Sequence, residues 1–383
     1  MKKIIYILSF FLFVSLSTVV NSQQTKDRVT IGESFWFDSK YLIEKILIKV
    51  YLPKQYEYSP KEVEYPVIYL LDAEWDFHHG TGAIQFLMAN GIIPEMIVIG
   101  IENSNNKSRY KYFTQTQTDE CQICGGADKF LRFLNKELMH YVDSTYRTSS
   151  FKLLFGHSLG GLFVVNTFLS QPSLFNCYIA ASPTIWWDKK IFLRNEKLFS
   201  SGQKHDNYLY VTIGNESKSM KNGVDSLHSI LKTKSPFDLK WKLVQMDKET
   251  HGSITHRTIY EGLEWIYTDW GFPENFEYKD LSDMEFRMNN QLEKYGIINS
   301  RFEIMINNYG YKMINEKYMN EAIAVFKFNV KHFANSSKAY DSLGEAYMIN
   351  NQKDLAIENY EKSLELNPKN NNAKKMIEKL NNN

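Results

Sequence analysis

The stretch KLLFGHSLGGLFVV, Lys152 to Val165, decides the fold. An apolar run leads into a serine bracketed by Gly156, Gly160 and Gly161, and a second apolar run follows at once. The order G-x-S-x-G, here Gly156, His157, Ser158, Leu159 and Gly160, sits between a strand pattern ("FKLLF") and a helix pattern ("GLFVVNTFLS"). That context is the one a nucleophile elbow needs: a strained turn lifts the serine hydroxyl above the sheet edge, and flanking positions without Cβ atoms let the turn close. Ser158 is therefore the candidate nucleophile, and the amide of Leu159 points to where an oxyanion would form.

Working outward, seven short runs read as strands: "KILIKVYL", "YPVIYLLD", "EMIVIGIE", "FKLLFGHS", "CYIAASP", "YLYVTIG" and "LKWKLVQM". Several are almost continuously apolar, as strands covered on both faces are. Between them, "GADKFLRFLNKELMHYVDSTY" places Phe130, Phe133, Leu134, Leu138, Tyr141 and Val142 at helical spacing. The alternation from Arg28 to about Trp270 predicts an α/β fold with a mostly parallel sheet covered on both sides, whose chemistry gathers just past the strand ends.

A serine hydroxyl needs a base, and the base needs an acid, in the chain order Ser, acid, His for this architecture. Past "YLYVTIG" stands Glu216, and past "LKWKLVQM" stands His251, followed by Gly252. His256 falls on the following helix pattern, and His205 and His228 read as surface or core histidines. Asp225 lies inside a helix pattern and Asp247 precedes the base too closely, so Glu216 is the predicted acid. His157 adjoins the nucleophile in sequence but is expected to point away from its oxygen. The second oxyanion donor is expected from the backbone at Ala73 or Glu74, after "YPVIYLLD". Arg109 and the pair Trp186 and Trp187 follow other strands and are candidate substrate contacts; a structural ion pair for Arg109 and core roles for the tryptophans are the alternatives. His78 and His79 lack ligand partners at metal spacing, and neither metal nor cofactor is expected.

Length and composition set the frame. At 383 residues the chain exceeds what one core usually takes. Lys+Arg total 45 against 44 Asp+Glu, so nothing in the charge balance calls for nucleic acid or an anionic membrane. The start, MKKIIYILSFFLFVSLSTVVNSQQ, places two lysines before an apolar stretch and a cut after Ser22, which reads as a secretory signal peptide and predicts a periplasmic or secreted protein without a stable membrane anchor. Cys121 and Cys124 could close a local disulfide there, while Cys177 reads as a buried hydrophobe.

After "WGFPENFEYKD" the strand patterns stop. Tyr340, Leu343, Gly344, Tyr347, Ala356, Tyr360 and Pro368 fall in the register of a tetratricopeptide repeat, and Tyr309, Gly310, Ala322 and Phe326 stand 34 residues before Leu343, Gly344, Ala356 and Tyr360. The expected layout is a signal peptide over 1–22, a hydrolase part over 23–272, a linker and opening helix over 273–301, and two repeats with a capping helix over 302–383. A structural appendage and a protein-binding groove are both open for the repeats.

The segments "YPVIYLLDAEW", "GGADKFLRFLNKELMHYVDSTYRT", "LLFGHSLGGLF", "YIAASPTIWWD" and "ETHGSITHRTIYEGLEWIY" together resemble the putative esterase family of α/β-hydrolases, over about Arg28 to Trp270. That family includes siderophore, feruloyl and acetylxylan esterases, S-formylglutathione hydrolases and secreted mycolyltransferases. The resemblance implies a carboxylic ester hydrolase with Ser158, His251 and Glu216 as its triad, or Ser158 and His251 as a dyad. "SPTIWWD" looks most like the exported siderophore esterase branch; a small-molecule or glycan ester is the implied substrate, an acyltransferase or an inert scaffold the alternatives. Ala73 replaces the family's usual glycine after "LLD", and the repeat tail departs from its best-known members.

Overall fold

The computed structural model describes residues 29–59, 61, 63–103, 105–194, 207–270 and 280–382. The expected signal peptide, His205 and most of the expected linker lie outside the described residues. Eight strands, β1 (Glu33–Ser39), β2 (Glu44–Tyr51), β3 (Tyr65–Leu71), β4 (Ile97–Ile101), β5 (Thr148–His157), β6 (Cys177–Ala181), β7 (Tyr208–Gly214) and β8 (Lys240–Met246), form one sheet in the order β1-β2-β4-β3-β5-β6-β7-β8. β1 and β2 are antiparallel to their neighbours and every other pairing is parallel.

The helices are α1 (Ala73–Ala89), α2 (Asn106–Phe113), α3 (Ala127–Phe133), α4 (Met139–Thr145), α5 (Leu159–Ser170), α6 (Lys218–Lys234) and α7 (Ile254–Ile266), then α8 (Leu281–Tyr295), α9 (Arg301–Asn315), α10 (Met319–His332), α11 (Ser337–Ile349), α12 (Lys353–Leu366) and α13 (Asn371–Asn381). Successive residues of β3 show why the apolar runs were continuous. Val67, Tyr69 and Leu71 pack with Phe130, Leu134 and Phe163 on one face, while Ile68 and Leu70 pack with Ile84 and Leu263 on the other. Both faces are covered, so the fold is the expected α/β-hydrolase sandwich with a mostly parallel sheet.

Two features differ from the sequence reading. β1 was not among the seven strands, because it is a half-solvated edge: Trp36 is 61% exposed, and of its aromatic residues Phe35 and Phe37 reach inward, onto Tyr141. The single helix expected around Leu134 is two helices joined by a five-residue π-helical segment, Leu134–Leu138. Its Glu137 accepts from the Ser39 hydroxyl at 2.6 Å and the Lys40 amide at 2.8 Å, tying the edge strand to the helical layer.

Among its described residues the tail consists of helices joined by short turns. α9 with α10 and α11 with α12 form two similar pairs, and the glycine of each first helix lies under an aromatic ring of the second. A Cβ on Gly310 would come within 2.5 Å of the Phe326 ring, and one on Gly344 within 3.1 Å of Tyr360. The small residue is thus what lets each pair close. α13 lays Ala373, Met376, Ile377 and Leu380 on the open end of that core. α8 is two-faced: Met284 and Met288 pack with Phe302 and Ile306, while the Tyr295 hydroxyl donates to the Ile266 carbonyl at 3.1 Å and Lys294 pairs with Asp269 at 2.8 Å.

Candidate active site

β5 ends at His157, α5 begins at Leu159, and Ser158 between them holds φ 57° and ψ −114°. Only the absence of side chains around it lets the chain turn so sharply. A Cβ on Gly156 would lie 2.5 Å from the backbone C and O of Gly160, and one on Gly161 would lie 3.0 Å from the Ala181 carbonyl oxygen. The turn is pinned by the Ser158 amide donating to Ala181 at 3.0 Å and by the Ser158 carbonyl accepting the first helical bond from Leu162 at 2.9 Å.

His251 lies in the loop between β8 and α7, and its Nε2 stands 3.0 Å from Ser158 Oγ. Its Nδ1 lies 2.7 Å from Glu216 Oε2, just past β7. With the carboxylate ionised, Nδ1 donates to Glu216, which leaves Nε2 as acceptor for the serine hydroxyl. Burial pushes the Glu216 carboxyl up, but hydrogen bonds from His251, Ser182 and the Gly214 amide outweigh burial and hold it below the usual carboxylate range. All three residues predicted for the relay are therefore brought together in the predicted order. Asp225 is on α6, His256 is on α7, and Asp247 accepts from Gln245.

His157 is closer to the relay than its neighbourhood in sequence required. Its ring centroid lies 4.6 Å from that of His251. Burial, then the neighbouring His251, push its pKa down to about 4, so it stays neutral beside that ring.

Leu159 lines the cavity of about 490 Å³ that holds Ser158 and His251. Asp72, at φ 56° and ψ 42°, turns the chain from β3 into α1, so the Ala73 and Glu74 amides belong to a first helical turn without intrahelical acceptors.

The expected substrate contacts divide. Arg109 lines the same cavity, but its Nε and Nη2 donate to Asp72 at 2.7 and 2.8 Å, so two of its guanidinium nitrogens serve a buried ion pair. Trp186 is 43% exposed, whereas Trp187 is 6% exposed. Both, with Tyr110, line the Ser158 cavity and a neighbouring one of about 1270 Å³ whose far wall includes Gln117–Ile123, the stretch closed by the Cys121–Cys124 disulfide. The two cavities share this aromatic wall.

The sequence reading missed Ser182, Asn103 and Asp72. Asp72 is fully buried, accepts from Asn103 at 2.7 Å as well as from Arg109, and burial pushes its carboxyl up to about 7 against the pull of Arg109. Ser182 directly follows β6 and Asp72 directly follows β3, so the rule that chemistry gathers past strand ends was the signal available for both.

Residues 39–251 match the family described as Putative esterase. The chain belongs to that family. Residues 337–370 match a tetratricopeptide repeat, one of the two read in the sequence. Ferri-bacillibactin esterase BesA of Bacillus subtilis is 36% identical over 166 residues, 39% of this chain and 57% of that protein, so the match spans little more than half of that relative. A siderophore triacetylfusarinine C esterase of Aspergillus fumigatus is 26% identical over 55% of this chain and 84% of its own length. Among solved structures, an IroE-like serine hydrolase from Shewanella oneidensis aligns with a TM-score of 0.67 at 25% identity, covering 79% of this chain and 99% of that one. The family and the two curated relatives are named as esterases, and the chain is a carboxylic ester hydrolase, the reaction class that the sequence resemblance implied.

Proposed function

We propose that this chain is an exported serine esterase of siderophore-type esters, working through an acyl-enzyme. The observation that carries the reading is the continuous relay from Ser158 Oγ through His251 to Glu216, at 3.0 and 2.7 Å. Ser158 attacks the ester carbonyl while His251 Nε2 takes its proton. The oxyanion is met by the Leu159 amide and by that of Ala73 or Glu74, each such donor contributing about 3 kcal/mol to the transition state. His251 then protonates the departing alcohol, water attacks the acyl-enzyme with its proton passing to His251, and the acid is released as His251 returns that proton to Ser158 Oγ. Glu216 orients the ring and stabilises its cationic form throughout.

Two relatives are named for siderophore esters, and the aromatic wall shared by two adjoining cavities suits a bulky, ring-bearing substrate. Export is supported by the charged and apolar start of the chain and by the Cys121–Cys124 bridge, which suits an oxidising compartment. The repeats are assigned to contact with a protein partner. The test is hydrolysis by the purified chain of ferric and iron-free siderophore esters, feruloyl and acetyl glycans and a short nitrophenyl ester. The reading expects siderophore esters to show the highest kcat/KM and Ser158→Ala to abolish all turnover; a preference for glycan esters would overturn the substrate, and an active Ser158→Ala the mechanism.

A further inference from the structure

We infer that Ser182 is a positioning residue that fixes the acid of the Ser158–His251–Glu216 relay, an assignment that rests on reading that relay as catalytic. Ser182 follows β6 directly, is fully buried, and holds φ 41°, a left-handed conformation that costs a serine strain. Its amide donates to the Thr212 carbonyl at 2.9 Å, which locks it against β7, the strand that leads to Glu216. From there its hydroxyl donates to Glu216 Oε1.

The two oxygens of the acid are thus divided between two tasks. Oε1 is held by the fold, through Ser182 and through the Gly214 amide at 3.2 Å, while Oε2 faces His251. Gly214 leaves room for this arrangement, since a Cβ there would lie 3.1 Å from Oε1. A glutamate side chain has one more rotatable bond than an aspartate, and a short strained loop that clamps its outer oxygen removes that freedom. Burial of the acid by itself favours its neutral form, and each donor on Oε1 favours the carboxylate that the base requires. Ser182 is the side chain among them, so it is the donor that substitution can remove.

The experiment compares Ser182→Ala, Ser182→Gly and Glu216→Gln in the full chain, on a short nitrophenyl ester from pH 5 to 9. Glycine is at ease at positive φ, so Ser182→Gly removes the hydroxyl even if the alanine variant fails to fold. Loss of one charge-assisted hydrogen bond is expected to lower kcat about tenfold with KM unchanged, and to move the acid limb of kcat/KM to higher pH, because the Glu216–His251 pair, with one donor fewer on its carboxylate, takes up a proton more readily. A merely structural serine would leave the acid limb in place. An unchanged limb and kcat in Ser182→Gly, with Glu216→Gln at least a hundredfold slower, overturns the assignment while leaving the relay intact. A Glu216→Gln variant as active as the parent overturns both, through the relay.

Discussion

Replacing Arg109 with methionine keeps the apolar stem and deletes the guanidinium, leaving Asp72 fully buried without its cationic partner. The side chains are 13% and 0% exposed, and both carboxylate oxygens are engaged, at 2.7 and 2.8 Å. Removing one partner of such a buried pair costs about 3–5 kcal/mol, because the other is left uncompensated, and the lost stacking of the guanidinium on Trp75 adds a little. Asp72 already has its carboxyl pushed up to about 7, and without Arg109 it rises further. An acid whose folded value exceeds its unfolded one favours the fold below the unfolded value and loses that advantage as pH rises toward the folded one. The loss in Arg109→Met should therefore be smaller at pH 5 than at pH 8. The assay is equilibrium urea unfolding followed by tryptophan fluorescence, which reports the hydrolase part because all seven tryptophans precede residue 271. Adding Asp72→Asn should recover part of the loss. A loss below about 1 kcal/mol at pH 8, or one that does not change with pH, would refute the buried-pair reasoning and return Arg109 to the role of a substrate contact.

Gly156→Ala forces a Cβ to within 2.5 Å of Gly160 backbone atoms, and should cost about 3 kcal/mol or more together with most of the esterase activity, read by the same unfolding assay and a nitrophenyl ester. Gly310→Ala drives a Cβ into the Phe326 ring at 2.5 Å; helical melting followed by far-ultraviolet circular dichroism should fall while the tryptophan transition and kcat hold. Trp186→Ala should raise KM for aryl esters by about 3–10-fold with little change in stability, whereas Trp187→Ala, at 6% exposure, should cost about 3–5 kcal/mol. Equal KM effects from the two would mean that exposure does not separate their roles.

The sheet and the relay were legible because each left a local pattern: apolar runs for strands covered on both faces, a glycine-flanked serine for the elbow, and an acid and a histidine directly past later strands. β1 escaped because an edge strand buries only alternate residues, and "ESFWFDS" mixes acids and serines with its aromatics. Ser182 and Asp72 escaped for another reason. Their roles depend on partners that the sheet order alone brings close, Glu216 at 34 residues' remove and Arg109 at 37. His157 was read as a bystander because the elbow directs its side chain away from Oγ; that the same direction places it against His251 follows only once β8 and its loop are in position.

Intact-mass and peptide analysis after fluorophosphonate labelling tests the central claim most directly, since the reagent bonds only to a serine whose base is in place. A single adduct on the peptide that holds Ser158, absent from Ser158→Ala and slowed at least about a hundredfold in His251→Ala, is the predicted result. An adduct on another serine, or labelling at Ser158 that ignores the loss of His251, would contradict it.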